Sequence, residues 1–187
     1  MACFILGENN VMFIHIPKTG GRALSNELSN QGKVSLTIPG HLTIKDLLIG
    51  KAIRTFSIVR NPYDRMVSIY RHYYERDIEN TSTKTFEEFV KNVRHSFEVF
   101  GINLPHINSQ SFWVCDWSGN VVVDDIIKYE SYDTDVIKYL NEKNIDVTFI
   151  PKFRVGDKSI KAELTDEVKE MIYEIYKSDF INFNYKK

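Results

Sequence analysis

The feature that most constrains this chain is a junction. Val11-Met12-Phe13-Ile14-His15-Ile16 is a nearly unbroken apolar run, it stops at Pro17-Lys18-Thr19-Gly20-Gly21, and the stretch from Gly21 to Asn30 then carries Leu24 and Leu28. A short apolar run without alternation reads as a strand buried on both faces. Leucines four residues apart predict a helix directly after it. A buried strand, a glycine loop and a helix start make a natural anion cradle. The helix start presents backbone N–H groups that have no carbonyl behind them, together with the positive end of the helix dipole. Glycines let the backbone curl closely round a phosphate. Lys18 adds a mobile positive charge, and Thr19 adds a hydroxyl donor. Taken alone, the motif also fits a surface turn whose glycines merely permit a tight connection. It is not a Walker A loop, in which the lysine follows the second glycine. Here the lysine precedes both glycines.

The construction recurs. Thr55-Phe56-Ser57-Ile58-Val59 reads as a second buried strand ending in Arg60. Asn61 is an expected N-cap, with Pro62 at the first helical position and Asp64 in the first turn. Arg60 therefore projects from the carboxyl edge of the sheet, where a guanidinium can grip a phosphate with two parallel hydrogen bonds. A salt bridge at a strand end would explain Arg60 equally well by itself. Two strand-end anion sites in one small chain point to a ligand with two separated phosphate groups. Ser68 lies two turns into the following helix, and Arg65 and Arg71 are expected to be exposed or paired with acids.

Elsewhere strands and helices alternate. Val121-Val122-Val123 and Val147-Thr148-Phe149-Ile150 read as strands. Thr85-Phe86-Glu87-Glu88 is a capping box, and helices are expected around Asp133 to Glu142 and Thr165 to Lys177. This pattern predicts an α/β fold, a P-loop-like parallel sheet with helices on both faces, as a single domain over 1–187. In such sheets ligands bind outside the carboxyl ends of the strands. With 187 residues and a net charge of -1, the chain does not read as a general nucleic-acid binder. No stretch approaches the roughly 20 apolar residues of a membrane helix, and the apolar N-terminal run is too short for a signal peptide. A cytoplasmic protein with no membrane partner is expected. Cys3 and Cys115 form no CxxC pattern, so no disulfide is expected. The histidines lack metal-ligand spacing, so no metal is expected.

Both motifs resemble those of the PAPS-dependent sulfotransferases (PAPS is 3′-phosphoadenosine-5′-phosphosulfate), in particular the carbohydrate branch related to uronyl 2-O-sulfotransferases. The segment Phe13 to Gly21 looks like that family's 5′-phosphosulfate loop, and Ser57 to Ser68 looks like its 3′-phosphate element. Weaker echoes are Val123 to Glu130 and Asp179 to Tyr185. The resemblance implies that Lys18 contacts the bridging oxygen of PAPS and stabilises the departing phosphate. It implies that Thr19, Gly20, Gly21, Arg22 and Ala23 line the 5′-phosphosulfate, and that Arg60 and Ser68 hold the 3′-phosphate. Arg22 departs from the family's usual Thr or Ser, and Asn184 from its usual Gly.

Sulfuryl transfer, treated like phosphoryl transfer, is an in-line displacement helped by positioning and charge stabilisation. The acceptor, a hydroxyl-bearing molecule that the resemblance makes a carbohydrate, must lose a proton. His41, in Gly40-His41-Leu42-Thr43, is the expected general base, because relatives place a catalytic histidine between the two phosphate motifs. His72 and Glu27 are the alternatives, and His15 is expected in the core. Trp113 and Trp117 fit either an acceptor cleft or the core. Two other functions remain open at this point. Asp124, read as the end of an apolar strand, mimics a Walker B aspartate and would suit a P-loop kinase using ATP and Mg²⁺. A binding module holding a phosphorylated nucleotide without turnover is the other.

Overall fold

A computed structural model describes residues 3–6, 10–40, 42–47, 53–100, 105–150 and 157–187, with the backbone alone at 97–100. The strands are β1 (Cys3–Leu6), β2 (Val11–Ile14), β3 (Val34–Ile38), β4 (Arg54–Val59) and β5 (Asp125–Lys128). The helices are α1 (Gly21–Asn30), α2 (Pro62–Glu75), α3 (Phe86–Phe100), α4 (Gln110–Val114), α5 (Tyr132–Glu142), α6 (Asp166–Ile175) and α7 (Lys177–Asn182). Two compact units result. The first comprises Met1–Arg60 with Gln110–Phe153, and the second comprises Asn61–Ser109 with Arg154–Lys187.

The first unit holds the five-stranded sheet, in the order β3-β1-β2-β4-β5. Its centre is parallel as expected, with Phe13 opposite Phe56 and Ile58 opposite Ile127. An antiparallel edge is added, because β1 pairs antiparallel with both β2 and β3. The link from β1 to β2 is far too short for the crossover a parallel pair needs. Phe4, Phe13, Phe56 and Ile58 of the sheet pack with Leu24 and Leu28 of α1 and with Val136 and Leu140 of α5. The leucine spacing thus puts one face of α1 into this core, as the sequence implies.

Two expected strands are corrected. Val121 makes only an isolated antiparallel bridge with Cys115, and the regular strand begins at Asp125. The stretch 147–150 is not a strand. Val147 is held by the Asn141 side chain, which accepts from its N–H at 2.9 Å and donates to its carbonyl at 3.1 Å. Val147 and Ile150 are buried in the core, so their apolar character reports burial and not ladder pairing.

The second unit is helical. Met66, Ile69, Tyr70 and Tyr73 of α2 pack with Phe86, Phe89 and Val90 of α3 and with Val168 and Ile172 of α6. Asn61 caps α2, its side chain accepting from the Tyr63 N–H at 2.9 Å. Thr85 and Glu88 form the expected capping box, and Thr165 caps α6. Arg65 is buried, contrary to expectation, and donates to the His106 carbonyl at 3.1 Å. Asn184 takes φ 52, the left-handed backbone that Asn tolerates.

Candidate functional site

The loop after β2 is built around two glycines and a strained lysine. Lys18 has φ 71 and Gly20 has φ 89. The left-handed region is natural for glycine and disfavoured for lysine. A side chain at Gly20 would also collide, since a Cβ there would sit 2.9 Å from Tyr129 and 3.1 Å from Tyr132. At Gly21 the obstacle is His15, whose Cδ2 would lie 2.4 Å from a Cβ. His15 is buried, as expected, and stacks on Phe13 with ring centroids 5.7 Å apart. Tyr132 braces the loop from below, its hydroxyl donating to the Gly20 carbonyl at 3.4 Å. Burial pushes the Tyr132 phenol up and keeps that donor protonated.

Helix α1 starts without a side-chain cap and without an acidic residue in its first turn. Its first N–H groups, on Gly21 and Arg22, have no carbonyl four residues back inside the helix. The Ala23 N–H is engaged by the Gly20 carbonyl at 2.9 Å. The Thr19 hydroxyl is also engaged, donating to the Ile16 carbonyl at 2.9 Å in a buried position. Thr19 therefore closes the turn with its side chain and has its backbone left to offer. Arg22 is exposed and Lys18 half-buried.

Arg60 reaches the same loop. Its Nη1 faces the Lys18 carbonyl at 3.5 Å, and its guanidinium stacks over the Tyr129 ring at 4.5 Å. Its Nε is buried with no hydrogen-bond partner among the described residues. A buried N–H without a partner is costly and rare in a folded protein, and it marks a place for a ligand or water. Gln110, fully buried on α4, clamps the Arg60 backbone from both sides. Its Oε1 accepts from the Arg60 N–H at 2.7 Å, and its Nε2 donates to the Arg60 carbonyl at 2.8 Å.

The structure thus brings together Lys18, Thr19, Gly20, Gly21, Arg22, Ala23 and Arg60 at the carboxyl edge of the parallel strands. Ser68 lies on α2 in the second unit and is half-buried. His41 falls outside the described residues. Trp113 is buried, and Trp117 is exposed. The sequence placed Tyr129 in the Val123–Glu130 echo and Gln110 in a 103–111 stretch that could line an acceptor cleft, but it foresaw neither their contacts with Arg60 nor the contact of Tyr132 with the loop. Tyr129 is the first residue after β5, the same strand-end position that singles out Arg60. Nothing in the sequence ties Gln110 to a residue 50 positions away.

Asp124 is corrected. It precedes β5 and does not end a strand. Its Oδ2 accepts from the Thr55 N–H and hydroxyl, both at 2.7 Å, at the amino end of β4. These bonds hold its carboxyl below the usual range. The likeness to a Walker B aspartate is lost, because the carboxylate sits at the opposite edge from Lys18. Among the described residues no cluster of three or more His, Cys, Asp or Glu is placed to hold a metal. Among them no helix is long and apolar enough to cross a membrane.

The arrangement has the chemistry to hold anionic groups. Among known families, the model described as the Sulfotransferase family matches residues 1–186. None of the curated proteins and none of the solved structures matches the chain.

Proposed function

The chain belongs to the Sulfotransferase family and is thus a transferase of sulfuryl groups, and from that premise we propose that its donor is PAPS and its acceptor a hydroxyl on a carbohydrate. The observation that carries this reading is Arg60. A buried, unbonded Nε sits beside a helix start that no side chain caps. Such a site fits a phosphate ester of a nucleotide, because each unmet N–H gains a charge-assisted hydrogen bond.

In this reading the Lys18 ammonium meets the bridging oxygen and stabilises the departing phosphate. The backbone from Thr19 to Ala23 wraps the 5′-phosphosulfate. Arg60 and Ser68 hold the 3′-phosphate, the group that separates PAPS from ATP. His41 takes the acceptor proton, a contribution of about 10²–10⁴ in rate for a general base. The hydroxyl oxygen attacks sulfur in line, and 3′-phosphoadenosine-5′-phosphate (PAP) leaves. The scheme uses no metal, since Lys18, Arg60 and the helix start supply the positive charge.

Thermal melts with PAP, with ATP plus Mg²⁺ and with neither test the donor. PAP at a hundredfold its dissociation constant adds about 2.7 kcal/mol. For a chain of this size that is a rise of roughly 5–10 °C. A rise with ATP and Mg²⁺ alone would replace this reading by a kinase. His41→Ala should abolish transfer and spare PAP binding, and unchanged turnover would reject His41 as the base.

A further inference from the structure

The second unit holds a groove that the transferase reading does not use. Its volume is about 950 Å³, near the upper end for small-ligand sites. Two runs of chain line it. The end of α2 and the start of α3 bring Glu75 and Glu87, and the stretch 157–165 brings Asp157 and Glu163. The runs are tied together, because the Glu75 carboxylate accepts from the Asp157 N–H at 2.9 Å and Arg71 Nε donates to the Ile160 carbonyl at 3.3 Å. Tyr70, Tyr74 and Phe86 give the groove an aromatic lining, with the Tyr70 ring 5.8 Å from Tyr74 and 5.2 Å from Phe86. Tyr74 stands twelve residues past Pro62 on α2, about 18 Å along the helix axis at 1.5 Å per residue.

The donors in the lining are largely engaged. The Ser82 hydroxyl donates to the Asp77 carboxylate at 2.6 Å, and the Thr83 hydroxyl to the Asn80 carbonyl at 2.8 Å. The Lys84 ammonium donates to the Glu79 carbonyl. Both helix starts are capped, α3 by Thr85 with Glu88 and α6 by Thr165, and each has acids in its first turn. Neither therefore invites an anion. The carboxylates are what the groove still offers. The Ser159 N–H first, and its hydroxyl second, hold the Asp157 carboxyl below the usual range. Glu87 pairs with Lys91 at 2.7 Å, but both side chains are exposed, and such a pair holds weakly against competition. Four carboxylates thus face two lysines, Lys84 and the exposed Lys161.

These carboxylates are spread along the groove. Among the described residues no three His, Cys, Asp or Glu are gathered to hold a metal ion. The fitting occupant has several positive charges set apart, with apolar length between them. Its ammonium groups meet the carboxylates and the tyrosine faces, and its methylenes lie on the aromatic lining. We infer that this groove binds a linear polyamine. The site stands independently of the transferase reading and gives the second unit a ligand of its own.

Calorimetric titration with spermidine at physiological salt, read alongside amide chemical shifts, tests it. Spermidine should saturate one site and move the amide signals of Tyr74, Glu75 and Glu163. Mg²⁺ at the same ionic strength should not move them. Glu87→Gln with Glu163→Gln removes one carboxylate from each run. Both side chains are exposed, so the melting temperature should hold. Each exposed ion pair contributes up to about fivefold, so this double variant should bind spermidine about tenfold more weakly. Asp133→Asn with Glu142→Gln removes the same charge from α5 in the first unit and should leave the affinity unchanged. Equal weakening in the two double variants overturns the site in favour of general counterion attraction. Displacement of spermidine by Mg²⁺ at equal ionic strength, or shifts confined to the first unit, also overturns it. Binding of tetralysine without binding of spermidine overturns it in favour of a basic peptide.

Discussion

Arg60→Met separates a ligand-binding arginine from a structural one, because the two roles move stability in opposite directions. The buried Nε has no partner among the described residues, and an unmet buried donor costs about 1–3 kcal/mol. Opposing this is the stack on Tyr129 at 4.5 Å, worth about 0.5–2 kcal/mol. The contact to the Lys18 carbonyl at 3.5 Å is at the limit of a hydrogen bond and adds little. Methionine keeps the length and apolar stem of arginine and carries no unmet donor. The variant should therefore melt at the same temperature as the parent or a few degrees above it. With PAP the sign reverses. Loss of a charge-assisted phosphate contact of about 2–3 kcal/mol weakens binding roughly a hundredfold. At a PAP concentration a hundredfold above the parent's dissociation constant, the variant is then only half saturated. Its gain falls from about 2.7 to about 0.4 kcal/mol, a rise of roughly 1–2 °C in place of 5–10 °C. The assay is a pair of calorimetric melts, with and without PAP. A fall of more than about 5 °C in the ligand-free melt, with the PAP rise intact, would show that Arg60 is a structural strut and refute the reasoning.

Three further outcomes follow from the same geometry. Gly21→Ala drives a Cβ to 2.4 Å from a buried His15 that is itself stacked on Phe13, so overpacking should cost about 1–3 kcal/mol; an unchanged melting temperature would show that His15 can move away. Gln110→Leu keeps the volume but strips both hydrogen bonds from the Arg60 backbone, which should cost about 2–4 kcal/mol and weaken PAP binding; full PAP affinity by calorimetric titration would mean that Arg60 is positioned by something else. The Thr55 N–H first, and its hydroxyl second, hold the Asp124 carboxyl low. A depressed folded-state pKa gives stability that is complete above the unfolded value of about 4 and drains away as pH falls below it. Thr55→Val should therefore move the acid-unfolding midpoint to higher pH, and coincident circular-dichroism acid titrations of parent and variant would contradict this.

The parts of the fold that were legible in the sequence are those set by local rules. The run from Val11 into Gly21 announced a buried strand, a tight loop and a helix because each step has its own residue signature. Asn61-Pro62 and Thr85-Glu88 did the same for the starts of α2 and α3. What was illegible depends on partners far away in the chain. Val147 to Ile150 looks like a strand because burial and strand formation call for the same residues, and only the Asn141 clamp tells them apart. Asp124 looked like a strand end because the valines before it are apolar; its bond to Thr55, 69 positions away, is what starts β5 one residue later. Of the site, Lys18, the glycines and Arg60 were readable from strand ends. Gln110 was not, because a glutamine that satisfies a backbone 50 residues away carries no local mark.

The first unit breaks local rules where an anion would repair them. Lys18 occupies a left-handed backbone at φ 71, a conformation that costs a non-glycine residue about 1–2 kcal/mol. Helix α1 has a glycine N-cap in place of a side-chain cap, a difference of about a few tenths of a kcal/mol. Arg60 buries a donor with nothing to receive it. Two of these defects have an easy remedy: Gly or Asn at position 18, and an apolar residue at position 60. Each remedy would remove a positive group from the same loop. A bound phosphate and phosphosulfate would meet the helix N–H groups, the Arg60 Nε and the Lys18 ammonium together. Stability is thus deferred from folding to binding, which is where strained or unsatisfied groups persist in proteins that use them. Amide exchange at Gly21 and Arg22 should then slow on addition of PAP while the core of the second unit, around Ile172, exchanges as before; uniform slowing across both units would point to general stabilisation in place of a met deficit at this loop.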